Sequence, residues 1–158
     1  KMDQKLALLM DKEAIKELQY RYALGVDTKD FKLLRSCYDD VIEIDFSGHD
    51  PTLINDNMSA DDWVAGTESI VKGLKSTQHQ MTNFLITVDG DRASAIVYLR
   101  AMHYLPNNLG DNSIECGGYY KNNYVRTANG WKIKKINLNY LWWSGNQHIF
   151  TLSSQSNL

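Results

Sequence analysis

Apolar positions recur at helical spacing through the first third of the chain and alternate with period two through much of the rest. From about Lys5 to Asp27, Ile15, Leu18, Tyr22 and Val26 fall on one face, which predicts an amphipathic helix. In its last two turns Tyr20, Tyr22, Ala23, Leu24 and Val26 leave only Arg21 and Asp27 polar, so this end is expected to be buried on most sides. A short helix from about Lys29 to Cys37 leads into an alternating strand, Val41 to Phe46. After the turn formers of SGHDPTLINDN, Ser59 begins S-A-D-D-W-V, a capping box with Asp62 at its third position, and opens a helix to about Leu74 that Gly66 and Gly73 weaken.

Four long strands follow: Thr77 to Val88, Arg92 to Leu105, Ser113 to Thr127 and Trp131 to Trp143. Asp89-Gly90 and Asn129-Gly130 are short hairpin signals, and PNNLGDN is a longer link. Sequential hairpins behind three helices predict an α+β fold with a curved antiparallel sheet, helices on one side of it. Residues 144–158 read as a tail. The strand from Arg92 to Leu105 is apolar on both parities, with Ala93, Ala95, Val97, Leu99 and Ala101 on one face and Ile96, Tyr98, Met102 and Tyr104 on the other. Three helices cover one side of a sheet, so the other face is expected to meet a second copy of the chain.

A length of 158 residues suits one domain with a single core. A net charge of -2 with both signs scattered, and no run of Lys and Arg, argues against nucleic acid as a partner. The two cysteines, Cys37 and Cys116, are too few for a disulfide scaffold and lack metal-ligand spacing. A reducing cytoplasm is expected. No apolar run approaches a membrane span, and KMDQKLALLMDKE carries charges where a signal peptide needs apolar residues.

Chemistry is most visible at Asp27 and His79. Each stands beside an apolar segment, the raw material of a base poised near neutral pH. Burial and the negative end of the helix dipole both disfavour an ionised Asp27, which therefore needs a hydrogen-bonding or cationic partner, and His79 in STQHQ is the candidate. The alternative is that Asp27 caps the short helix that follows, since D-T-K-D-F is a plausible capping pattern. Tyr120, Asn122, Tyr124 and Arg126 share one face of the third long strand, and His103 lies near the end of the second. These side chains are candidates to line a concave pocket, although each singly has an ordinary packing or surface reading. G-x-S-x-G, a Gly-rich phosphate loop, H-E-x-x-H and C-x-x-C are all missing, and nothing local favours a metal over a His–Asp pair.

Taken in order, the helix with Y-x-x-x-x-D, then D-x-K-D-F, an I-D-F strand, a Trp-containing helix, T-Q-H and a Y-x-R-T-x-x-G-W-K-I hairpin resemble the SnoaL-like branch of the NTF2-like superfamily, within it the scytalone dehydratase group. The resemblance covers about Lys5 to Trp143. It implies a cone-shaped α+β fold and a cofactor-independent lyase that removes water by abstracting a proton next to a carbonyl. Members of the group include scytalone dehydratase, hexachlorocyclohexane dehydrochlorinase and bile acid 7α-dehydratase. By position, Asp27 matches the aspartate that orients the general base, His79 that base, Tyr22 a catalytic tyrosine and His103 a second histidine, with Tyr22 or His103 as proton donor. Arg126 falls where the dehydrochlorinase has an arginine, so with Tyr120, Asn122 and Tyr124 it is a substrate-binding candidate. Phe46 joins that set, because it and Val26 stand where scytalone dehydratase has tyrosines, which points away from scytalone; Tyr22 replaces the dehydrochlorinase lysine, which points away from halide elimination. The implied ligand is a small hydrophobic or polycyclic hydroxy-carbonyl compound, and the implied assembly is a trimer, then a dimer. The same fold also accommodates a binding module without turnover and an isomerase or cyclase of polyketide or steroid type.

Overall fold

The computed structural model of the chain describes residues 3–46 and 56–155. The turn-forming segment around Pro51 lies outside them. Helix α1 (Gln4–Asp27) starts at Asp3, whose carboxylate accepts from the Lys5 amide, and buries Ile15, Leu18, Ala23 and Val26. Helix α2 (Phe31–Ser36) is followed by strands β1 (Tyr38–Asp45) and β2 (Asp56–Ser59). Helix α3 (Ala60–Val71) begins where the capping pattern places it, with the Asp62 amide donating to Ser59 Oγ at 3.1 Å. Then come β3 (Ser76–Asp89), β4 (Arg92–Tyr104), β5 (Ser113–Thr127), β6 (Gly130–Gly145) and a last helix, α4 (Ile149–Gln155).

The six strands form one sheet in the order β2-β1-β6-β5-β4-β3. Three long hairpins account for the antiparallel side, two at the Asp-Gly and Asn-Gly turns and the third at the longer PNNLGDN link. The sheet is nevertheless mixed, because β1 runs parallel to β6. That pairing follows from connectivity: everything from Asp56 to Thr127 intervenes between the two strands, so no hairpin constrains their direction. Two further elements depart from the sequence expectation. The short β2 extends the edge beyond β1, and the tail forms α4.

Inward residues of the sheet, among them Val97, Leu99, Ala101, Tyr120, Ile133 and Leu138, pack against α1 and α3. Bulges bend the sheet around this core. In β6, Gly117 pairs with Trp142 but Gly118 pairs with Tyr140, which leaves Leu141 as an extra residue. The parity of β6 therefore reverses there, and Tyr140 and Trp143 face the same side with ring centroids 4.8 Å apart. A second shift, at Lys134 between the pairs Asn123–Lys135 and Tyr124–Ile133, lets both Ile133 and Ile136 point inward.

Candidate active site

Between the inner face of the sheet, α1, α3 and α4 lies a cavity of about 690 Å³. Asp27 is the last residue of α1, and there the helix meets the start of β3. Its carboxylate accepts three hydrogen bonds: from Thr77 Oγ1 at 2.9 Å, from the His79 amide at 2.8 Å and from His79 Nδ1 at 2.6 Å. These donors offset the burial and the helix dipole that disfavour the charge. Capping of α2 falls to Asp30, whose carboxylate accepts from the Leu33 amide at 2.9 Å.

Period-two alternation carries the rest. Thr77 and His79 point inward from β3, with His103 directly opposite Thr77 and Ala101 opposite His79 on β4. The small Ala101 leaves room, and the two imidazoles lie 5.9 Å apart, edge to face. The Nδ1 of His103 donates to the Ile114 carbonyl at 3.2 Å, and Phe150 of α4 packs against its ring with centroids at 4.9 Å. From α1, one turn before Asp27, Tyr22 brings its hydroxyl to within 3.0 Å of the Tyr120 hydroxyl. Its ring centroid is 6.3 Å from that of His79. Phe46 and Trp63 close another side, 5.6 Å apart.

The structure thus brings Tyr22, Phe46, His79, His103 and Tyr120 to one cavity, with Asp27 behind His79. It does not bring the other three candidates there. Asn122 and Tyr124 share a face with Tyr120 but lie further along β5, and both donate to the buried Gln19 of α1, at 3.0 and 2.5 Å. Arg126 stands at the hairpin end, where Asp11 receives two of its N–H groups at 2.8 Å, Asp91 a third at 3.0 Å, and the Trp131 ring lies 4.5 Å beneath the guanidinium. It clamps α1 to the β4–β5 end of the sheet. Sequence reasoning passed over Trp63, Tyr140, Trp143 and Phe150 as cavity walls; the β6 bulge and the unforeseen α4 hid the last three.

Burial sets the electrostatics. It raises the Tyr22 phenol, a rise that the Tyr120 hydrogen bond opposes, and raises Tyr120 well above the usual tyrosine value. It pushes the Cys116 thiol, another cavity residue, up to about 11. Burial, and secondarily the neighbouring His79, lowers His103 from 6.5 to about 4. No lysine or arginine is among the described lining residues. Among the described residues no three His, Cys, Asp or Glu side chains gather as metal ligands do.

The low value of His103 has a sign in stability. The unfolded chain takes up this proton near pH 6.5 and the folded chain only near pH 4. The contribution is therefore complete above the first value and lost as pH falls toward the second, up to about 3 kcal/mol. Urea denaturation between pH 7 and 4 should show this decline, and His103→Phe should flatten it; an equal slope in both proteins would refute it.

A profile of the family described as SnoaL-like domain matches residues 7–137. None of the curated proteins matches the sequence. Among solved structures, the Kfla4162 protein from Kribbella flavida is 30% identical, with 91% of this chain and 99% of that chain covered and a TM-score of 0.84. A candidate scytalone dehydratase from Novosphingobium aromaticivorans shares the fold at 17% identity, 91% and 93% coverage and a TM-score of 0.78. So does the hexachlorocyclohexane dehydrochlorinase LinA-type3 from Novosphingobium barchaimii, at 22% identity, 92% and 97% coverage and 0.72.

Proposed function

We propose that this chain, which belongs to the SnoaL-like family within the NTF2-like superfamily, is a small-molecule lyase that removes water from a β-hydroxy carbonyl compound. The observation that carries the reading is the hydrogen bond from His79 Nδ1 to Asp27, with the His79 amide on the same carboxylate. It fixes the imidazole as an Nδ1–H tautomer and turns Nε2, as a lone pair, toward the cavity.

In the proposed reaction Nε2 of His79 takes a proton from the carbon next to the ligand carbonyl. The C–H electrons form the enolate, whose oxygen accepts a hydrogen bond from the Tyr22–Tyr120 pair. As the carbonyl re-forms, the C–O bond to the β-hydroxyl breaks and the departing oxygen takes the proton back from His79, leaving a conjugated carbonyl compound and water. The aromatic walls exclude solvent and hold an apolar ligand body.

The test is 4-hydroxy-4-(4-hydroxyphenyl)butan-2-one, whose dehydration gives 4-(4-hydroxyphenyl)but-3-en-2-one with a strong ultraviolet absorbance. Turnover above that of Asp27→Asn supports the reading. Deuterium exchange next to the carbonyl without loss of water shifts it to an isomerase or cyclase, and binding with neither shifts it to a binding module.

Self-association belongs to the same proposal. On the outer face of the sheet Tyr98 and Tyr119 are cross-strand partners, and Arg100 lies over the Trp142 ring at 5.8 Å. Tyr98, Leu141 and Trp142 are exposed. Light scattering at micromolar concentration should give a trimer, or failing that a dimer; a monomer removes this part. No helix among the described residues is long and apolar enough to cross a membrane. The two free, buried thiols favour a reducing compartment such as the cytoplasm.

A further inference from the structure

Both imidazoles of the cavity are anchored through Nδ1, but to different acceptors. His79 meets a carboxylate and His103 a peptide carbonyl, that of Ile114. A carbonyl oxygen only accepts, so His103 Nδ1 carries the hydrogen, and a neutral imidazole has only one. Its Nε2 is then a lone pair. No partner meets this atom among the described residues, yet no buried side-chain nitrogen or oxygen is left without one. The atom therefore opens onto the cavity that His103 lines. In this tautomer His103 cannot protonate a departing oxygen, the role expected of it from sequence.

We propose that His103 is the residue that reads a hydroxyl on the ligand: its Nε2 accepts the O–H hydrogen of an uncharged, mostly apolar hydroxy-carbonyl compound, at a hydroxyl that the reaction retains. Three features of the site define this ligand class. The described walls offer no cation for a carboxylate or phosphate. The Tyr22–Tyr120 pair shares one hydrogen bond and so has one phenol hydrogen left for a carbonyl oxygen. His79 Nε2 is reserved for the C–H that is broken, which leaves the His103 lone pair to be met by a donor. An ether, a halide or a ketone at this point leaves it unpaired in a dry site, where a missing partner costs far more than in water. A site built to accept from a hydroxyl thus rejects the analogue that lacks the hydrogen.

The inference rests on the cavity being a ligand site and is independent of the elimination itself. The probes are 2-naphthol and 2-methoxynaphthalene, alike in ring and oxygen but different in the hydrogen. Histidine-¹⁵N-labelled protein at pH 7 should show His103 protonated at Nδ1 only. 2-Naphthol should bind about tenfold or more tightly than the ether and shift the His103 Nε2 resonance, which the ether leaves in place. In His103→Phe the two affinities should converge while the ether still binds. Should that variant fail to fold, the wild-type spectrum and the wild-type affinity ratio decide. Equal affinities in the wild type, a proton on Nε2, an unmoved resonance or binding of neither probe overturns the proposal. A preference for naphthol without turnover of 4-hydroxy-4-(4-hydroxyphenyl)butan-2-one, which loses its β-hydroxyl and retains its phenol, keeps the hydroxyl reading and removes the elimination; turnover without the preference does the reverse.

Discussion

Asp27→Asn should lower turnover by about 10² to 10⁴-fold, and His79→Ala by a similar factor, because each removes one positioned acid–base unit. An asparagine at position 27 can turn its NH₂ toward His79 Nδ1, which then accepts; the hydrogen moves to Nε2 and the base is lost although its ring stays in place. The Thr77 hydroxyl, which at 2.9 Å shares that oxygen with Nδ1, would meet the NH₂ and lose its acceptor, and the His79 amide, at 2.8 Å from the other oxygen, would face a weaker one. Since the aspartate acts through the histidine, the double variant should be little worse than either single one. Steady-state kinetics of the four proteins decide this. Losses that multiply would mean that Asp27 and His79 act separately, and the dyad would have to be abandoned.

Tyr22→Phe should cost about 10² to 10³-fold in kcat, the usual scale for removing one donor to an oxyanion. Tyr120→Phe should cost about tenfold, on the scale of one hydrogen bond, since it leaves the phenol one turn from Asp27 but removes its partner at 3.0 Å. The direction of the pKa shifts supports a role as neutral donors: burial raises both phenols, so each keeps its hydrogen at neutral pH. KM should change far less than kcat, because the bond strengthens as negative charge develops on the oxygen. If Tyr120→Phe proves the more damaging of the two, Tyr120 and not Tyr22 holds the ligand oxygen. If KM alone rises in both, the pair only binds.

The parts of the molecule legible from sequence are those that local chemistry dictates. Asp27 stood out as a charge at an apolar helix end, His79 as a histidine beside an apolar segment at the mouth of a strand, and the Asn-Gly and Asp-Gly turns fixed two hairpins. The parallel pairing of β1 with β6 was not legible, since it depends on strands separated by most of the chain. Nor was the wall made by Tyr140 and Trp143, because a one-residue bulge at Leu141 reverses the alternation from which facing is read. Asn122, Tyr124 and Arg126 show the limit from the other side. They share a parity with Tyr120, but a strand of 15 residues is longer than the cavity, so its far half serves α1.

Helix α4 is the shortest helix of the cavity wall. Its seven residues include Phe150, Ser153 and Ser154 of the wall, and it rests where Gly73 leaves space: a Cβ there would lie 2.0 Å from the Ser153 carbonyl oxygen. Neither a strand ladder nor a long apolar seam fastens it. The rest of the wall belongs mainly to the six-stranded sheet and α1, whose opening approaches global unfolding, and to α3, a helix of 12 residues. Departure of the product is expected to run through the undocking of this one short helix, and Gly73→Ala, which forces it outward, should shorten the residence time of 2-naphthol while the β-sheet amides keep their hydrogen-exchange protection. Unchanged dissociation in that variant would place the exit elsewhere.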